Sequence, residues 1–286
     1  MKKFYFICAA LLLLASCKKK GDVLVPVRIH VNDFTITQDT MPSKGGIPDY
    51  NNVKAVTLAF YDTDNAEQYK VTQFRSDPTT YTTFGDFSLS LPMGSYNMVV
   101  LGYGLGDGEP AITLTSPTSA TFGDHIVRET FAAVEPVNIT NTNAVELEAT
   151  LSRKVAKVHV LSTDGRTENA HSVKTTFSAG GKGFNPTTGQ ALTNTGFYNT
   201  VDVSSTAVGN ITGAVSYIFL NSDEQNLTVT IDVLDENGVS ISHKVVNDVP
   251  LKRNRVTKMR GSLYNTNATT EFVLDQDWIT EVEVPF

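Results

Sequence analysis

Cysteine is nearly absent from this chain: Cys8 and Cys17 are the only two in 286 residues, and both fall in the first 17 positions. If the start of the chain is a leader removed before Cys17, no disulfide can staple the remainder and no free thiol is left as a nucleophile. Stability must then come from packing. Histidine is scarce as well, and His30, His125, His159, His171 and His243 form neither an HExxH motif nor a pair at metal-binding spacing. No GxSxG elbow occurs, and Lys182 is followed by Gly183 instead of Ser or Thr, so the phosphate-binding P-loop is missing too. The expectation is a protein that is not an enzyme and carries neither metal nor cofactor. Positive charge is also in short supply, with 23 Lys and Arg against 30 Asp and Glu for a net −7, which becomes −9 once Lys2 and Lys3 are removed. That balance argues against a nucleic-acid partner. Finally, no apolar run is long enough to cross about 30 Å of hydrocarbon as a helix.

The longest apolar run, Phe4 to Leu14, follows Lys2 and Lys3 and reads as an export signal. It closes on Leu14-Ala15-Ser16-Cys17, which resembles the lipobox of bacterial lipoproteins. The resemblance implies a signal peptide over residues 1–16 and lipid on Cys17. Buried methylenes contribute about 0.8 kcal/mol each, so several acyl chains would make attachment nearly irreversible. The Lys18-Lys19-Lys20 run reads as a solvated tether beside anionic headgroups, with Asp22 the one acidic residue nearby.

What the chain has in quantity is β-branched side chains: 31 Val and 36 Thr, about 23% of the residues. From Val23 the pattern alternates. Val25, Val27, Ile29 and Val31 face one way and Pro26, Arg28, His30 and Asn32 the other, until the phase slips at Asn32-Asp33 and Phe34 and Ile36 resume. This predicts a long half-buried strand with a bulge. A polar loop, Thr37 to Asn52, then carries the chain out of one sheet toward another, and Val53 to Tyr61 reads as a strand. Residues 86–103 alternate about Pro92-Met93-Gly94 and predict a hairpin. Val145 to Val160 is strand-like, and the clearest hairpin joins Leu227–Leu234 to Val239–Val246 around Asp235-Glu236-Asn237-Gly238, with Val239, Ile241 and Val245 as cross-strand partners. At the end Trp278, Thr280, Val282, Val284 and Phe286 share one face. The reading is all-β: two antiparallel β-sandwich domains, residues 17–148 and 149–286.

Other features have plain explanations. The glycine-rich Gly102–Gly108 is followed by no helical pattern and soon by Pro110, so it reads as a flexible connection rather than a phosphate cradle. Asp62 to Glu67 and Asp275-Gln276-Asp277 lack the glycine and distant glutamate of an EF-hand and read as turns. Asp124 to Glu135 has ambiguous periodicity. Asn138, Asn210, Asn226 and Asn267 open chance Asn-x-Ser/Thr sequons.

The lipobox, the long strand followed by a loop with one basic residue, the Leu91–Val100 segment with its Pro92-Met93-Gly94 turn and the Leu151–Val158 segment coincide with the closing run Val249–Gly261 and the late Asp277-Trp278. Together they resemble the fimbrillin family, the lipoprotein-derived subunits of type V pili with their anchor and tip relatives. The resemblance implies transthyretin-like domains, a cell-surface or fimbrial location on the outer membrane, and fimbrial subunits as partners, with a receptor on a host or bacterial surface. It also implies assembly by strand exchange. A protease cuts after a basic residue in the loop behind the first strand, here Lys44 before Gly45, and the strand carrying Val25, Val27, Ile29, Val31, Phe34 and Ile36 leaves. A neighbour's final strand, here Trp278, Thr280, Val282, Val284 and Phe286, fills the groove, whereas anchor-type members keep lipid and first strand. The alternative is a surface glycan-binding lipoprotein whose Tyr61, Tyr69, Tyr81, Tyr103, Phe197 and Tyr198 stack on sugars.

Overall fold

The computed structural model describes residues 23–35, 52–80, 83–123, 126–265 and 273–275. Among these the chain is all-β, without a helix. The first half contributes β1 (Leu24–Thr35), β2 (Ala55–Asp62), β3 (Glu67–Phe74), β4 (Asp86–Pro92), β5 (Gly94–Tyr103), β6 (Thr113–Ser116), β7 (Ser119–Thr121), β8 (Thr130–Ile139) and β9 (Val145–Arg153). The second half contributes β10 (Ala156–Ser162), β11 (Ser172–Phe177), β12 (Gly183–Phe184), β13 (Phe197–Asp202), β14 (Gly213–Ile218), β15 (Glu224–Leu234), β16 (Ser240–Lys252), β17 (Val256–Gly261) and β18 (Val273–Asp275).

In the first half seven strands form one sheet in the order β3-β2-β5-β8-β9-β1-β4. Among the described residues, the backbone ladder between its two arms, β3-β2-β5-β8 and β9-β1-β4, is the short stretch where Phe131 and Ala132 pair with Arg153 and Ser152. Both arms turn apolar residues into one core: Leu58 and Phe60 from β2 and Val100 from β5 meet Val27, Ile29 and Leu91 from the other arm. Thus β1 and β2 share a sheet but occupy separate arms of it. In the second half two four-stranded sheets, β14-β10-β17-β18 and β13-β11-β15-β16, share a core that includes Val158, Val160 and Met259 from one and Val173, Val229 and Ile231 from the other.

Four expectations need correction. The sheets are not purely antiparallel, because β1 runs parallel to β9 and β10 parallel to β17. Residues 86–103 do not form a hairpin: β4 pairs with β1, while β5 pairs with β2 and β8. Pro92-Met93-Gly94 is a corner that takes the chain from one arm to the other, and Tyr96 locks it by donating its hydroxyl to Pro92 O (2.8 Å). Val145–Val160 is two strands in two sheets, interrupted at Lys154-Val155. In the β15–β16 hairpin, which forms as expected, register shifts rotate β16, so that Val239 and Val245 are exposed and Val249 and Leu251 enter the core. The ambiguous Asp124–Glu135 segment leads into β8.

The halves meet through a third core. Phe184 stacks on Phe219 with centroids 4.3 Å apart, Phe122 lies 6.3 Å from Phe219, and β12 extends β7 and β6 into a three-stranded sheet.

Candidate functional site

The slot occupied by β1 is built from alternation. Val25, Val27, Ile29 and Val31 are 0–1% exposed and point into the first core. Each contributes about 1.5–3 kcal/mol by burial, about 6–12 kcal/mol together, which is comparable to the net stability of about 5–15 kcal/mol typical of a native protein. The backbone is engaged on both sides, from Leu24↔Pro92 to His30↔Asp86 against β4 and from Val27↔Val145 to Thr35↔Ser152 against β9. The register against β9 slips between Val31 and Asp33, where the sequence places its bulge. Among the described residues β4 pairs with no strand but β1, so removing β1 would leave two unpaired edges.

Side chains fasten the slot at its rim. On the outer face Arg28 reaches Glu146 of β9 (3.4 Å) and His30 pairs with Asp86 of β4. At the start of β4 the buried Gln73 carboxamide bridges from β3: Gly85 N donates to its Oε1 (2.9 Å), and its Nε2 donates to Asp86 O (2.6 Å). Gly85 sits at φ +97°, a conformation suited to glycine. Gln73 thereby ties the two outer strands of the seven-stranded sheet, which strand patterning does not reveal; Gly85 before a strand is the only sequence trace of it.

A buried polar junction lies where β9 passes into β10. Arg153, its side chain fully buried, pairs with Glu129 (2.6 Å), donates to Asn254 Oδ1 (2.7 Å) and lies over the Phe131 ring at 4.8 Å. Asn254, at φ +57°, donates its backbone N–H to Val155 O (2.9 Å), so one arginine links first-half and second-half residues. Burial, reinforced by Arg253, pushes the neighbouring Lys154 ammonium below the usual lysine range, with Asp223 opposing. The glycine-rich loop is closed by its own carboxylate: Gly106 N (2.7 Å) and Arg128 Nε (2.9 Å) donate to Glu109 Oε2. Hydrogen bonding from Arg128 holds Glu109 below the usual carboxylate range despite partial burial.

Cys17, Ile36, Lys44, Gly45, Tyr81, His125, Trp278, Thr280, Val282, Val284 and Phe286 lie outside the described residues. Phe34 is within β1. Of the aromatic residues expected to stack on sugars, Tyr61 and Tyr103 are fully buried core residues, and burial, then Glu67, pushes the Tyr61 hydroxyl up to about 12. Tyr69, Phe197 and Tyr198 are half-buried, with Lys174 over the Tyr198 ring at 4.3 Å. The aromatic set therefore does not form one exposed platform. Asp62 acts as a turn residue, accepting from Asp64 N and Ala66 N at 2.9 Å each. Among the described residues no three His, Cys, Asp or Glu side chains group as metal ligands.

Mixed sheets that fold two arms over one core, with the first described strand completing it, define the class of fold. Solved structures share it: a candidate adhesin from Bacteroides ovatus superimposes with a TM-score of 0.52 at 13% identity, over 90% of this chain and 96% of that one. A candidate polysaccharide-binding protein (DUF1812) from Bacteroides thetaiotaomicron also gives 0.52, at 10% identity over 88% and 96%. The fimbrial anchor protein Mfa2 from Porphyromonas gingivalis gives 0.48, at 13% identity over 88% and 95%. The chain belongs to a family of unknown function (DUF6562), whose model matches residues 37–285. No curated protein matches the sequence.

Proposed function

We propose that the protein is a structural and adhesive subunit of a cell-surface fimbria, a non-enzymatic lipoprotein held on the outer membrane through Cys17 and assembled by strand exchange. The carrying observation is the β1 slot: the first described strand, with four fully buried side chains, inserted between β4 and β9. Such a strand can be replaced only by another that fills alternate pockets and satisfies the same backbone groups, which is β-augmentation. Support also comes from the fold shared with the Bacteroides ovatus candidate adhesin. In this reading the chain forms two transthyretin-like sandwich units. They comprise residues 17–148 and 149–286, and the pairing of β9 with β1 as far as Ser152 favours a division a few residues later, near Lys154-Val155. Cleavage between Lys44 and Gly45 frees β1, and the strand carrying Trp278, Thr280, Val282, Val284 and Phe286 is the donor. Its partners are other fimbrial subunits.

Limited trypsin digestion of the leader-free protein, followed by intact mass and size analysis, tests this. A single cut at Lys44, loss of β1 and appearance of denaturation-resistant oligomers are expected. A protein that stays monomeric after that cut and loss would overturn assembly by strand exchange.

A further inference from the structure

A cavity of about 500 Å³ opens between β13 and β14, lined among others by Asp202, Ser205, Thr206, Asn210 and Ile211. Its walls are held in place by hydrogen bonds from neighbouring loops. Arg166 N donates to Asn210 O (2.8 Å) and Gly209 N donates back to Arg166 O (2.9 Å). The Arg166 guanidinium turns onto backbone carbonyls, Nε to Thr206 O (2.6 Å) and Nη1 to Ala170 O (2.5 Å). The two loops touch so closely that a Cβ on Gly165 would stand 2.3 Å from Gly209 O, and Gly209 itself sits at φ +86°. At the cavity's back Thr212 is buried and donates its N–H to Ser162 Oγ (2.7 Å). Ser204 N donates to Asp202 Oδ1 (2.7 Å), which fixes the carboxylate. The Ser204 hydrogen bonds hold that carboxyl below its usual range, so it is an acceptor at neutral pH.

On this pinned frame Ile211 is 66% exposed. The cavity thus combines a fixed carboxylate, two hydroxyls, a carboxamide that both donates and accepts, and an exposed apolar wall. A sugar ring presents the complement, hydroxyls that donate and accept around its edge and C–H groups on its face. The size lies within the range of small-molecule sites, and a frame already pinned loses little entropy on binding. With Arg166 engaged by carbonyls and Asp202 ionised, the lining favours an uncharged ligand over an anionic one.

We propose that this cavity binds a neutral saccharide of one or two pyranose units, with Asp202 and Asn210 taking ring hydroxyls and Ile211 covering a C–H face. The proposal rests on the adhesive part of the function above but uses none of the aromatic residues and none of the β1 slot. Saturation-transfer NMR on the uncleaved, leader-free monomer, with methyl glucoside, galactoside, mannoside and N-acetylglucosaminide and with methyl glucuronide as the anionic control, tests it. Transfer to at least one neutral glycoside is expected, weakened at least tenfold by Asp202→Asn and by Ile211→Ser with unchanged melting, and lost in Gly165→Ala, which forces the loops apart. No transfer to any neutral glycoside, equal transfer to the glucuronide, or binding indifferent to both Asp202→Asn and Ile211→Ser would overturn it. Because the monomer is tested before any cleavage, sugar binding without assembly removes only the strand-exchange reading, and assembly without sugar binding removes only this site.

Discussion

In the first half β1 meets β9 in parallel across 118 residues of chain, as the Arg28–Glu146 pair shows, whereas in the second half β15 turns straight back into β16 through Asp235 and Gly238. The second half has a long-range parallel pair of its own, β10 with β17, but β14 and β18 flank it and β10 is continuous with described chain on both sides. The difference lies in what a single cut would release. A strand bracketed by short connections stays at high local concentration after its contacts open, whereas a strand cut away from the chain it pairs with loses that advantage. Four of the buried residues of the first core, Val25, Val27, Ile29 and Val31, come from β1.

The largest effect should come from removing that element. A chain beginning at Gly45 lacks about 6–12 kcal/mol of burial, so amides of β2, β5 and β8 should exchange rapidly while those of β15 and β16 stay protected; added peptide of residues 23–36 should restore protection. Uniform loss of protection in both halves would break the contrast. Next comes the junction. Arg153→Met leaves Glu129 buried without its cation and should cost about 3–5 kcal/mol in urea unfolding, with Glu129→Gln in the same chain recovering part of it. This variant should lower the stability of both halves, since the arginine spans them.

Gln73→Ala should cost about 1–3 kcal/mol by leaving the Gly85 N–H and Asp86 carbonyl without their partner, with faster amide exchange in β4 and none of it in β16. The smallest effect is a pH dependence carried in the second half by Asp164. Burial alone would raise the Asp164 pKa, but hydrogen bonds from Ser262 and from the backbone N–H groups of Leu263, Asn265 and Tyr264 outweigh it and hold the group below the usual carboxylate range. A depressed folded-state pKa stabilises the fold above the ordinary carboxylate value, and that stabilisation is lost as pH falls through the folded value. Melting followed by a second-half probe should therefore drop in acid, and Asp164→Asn should flatten the drop.

Much of this contrast was written in local pattern. The alternation of Val25 to Val31 marks the buried face of β1, the phase slip at Asn32-Asp33 marks its bulge, and Asp235 to Gly238 marks the clearest hairpin. These are properties of a residue and its near neighbours: a period of two fixes which side chains share a face, and an Asp-to-Gly turn fixes a reversal. Pattern misled at Pro92-Met93-Gly94, where alternation on both sides is equally compatible with a hairpin and with a corner between arms. It misled again at Val145–Val160, where an alternation that runs on through Leu147, Leu151 and Val155 conceals a passage between sheets.

Gln73 in the rim, Arg153 at the junction and the Arg166-held cavity at β13–β14 left almost no local trace, since each side chain acts on a partner distant in sequence. The sequence by itself determined that the chain is all-β, where its principal strands run and which faces of β1 and β15 are buried. Only the tertiary structure decided which strands are neighbours, that β1 and β10 enter in parallel, and that one arginine serves both halves. Alternation specifies a face but not the strand beside it, and that choice is made by packing across the whole core.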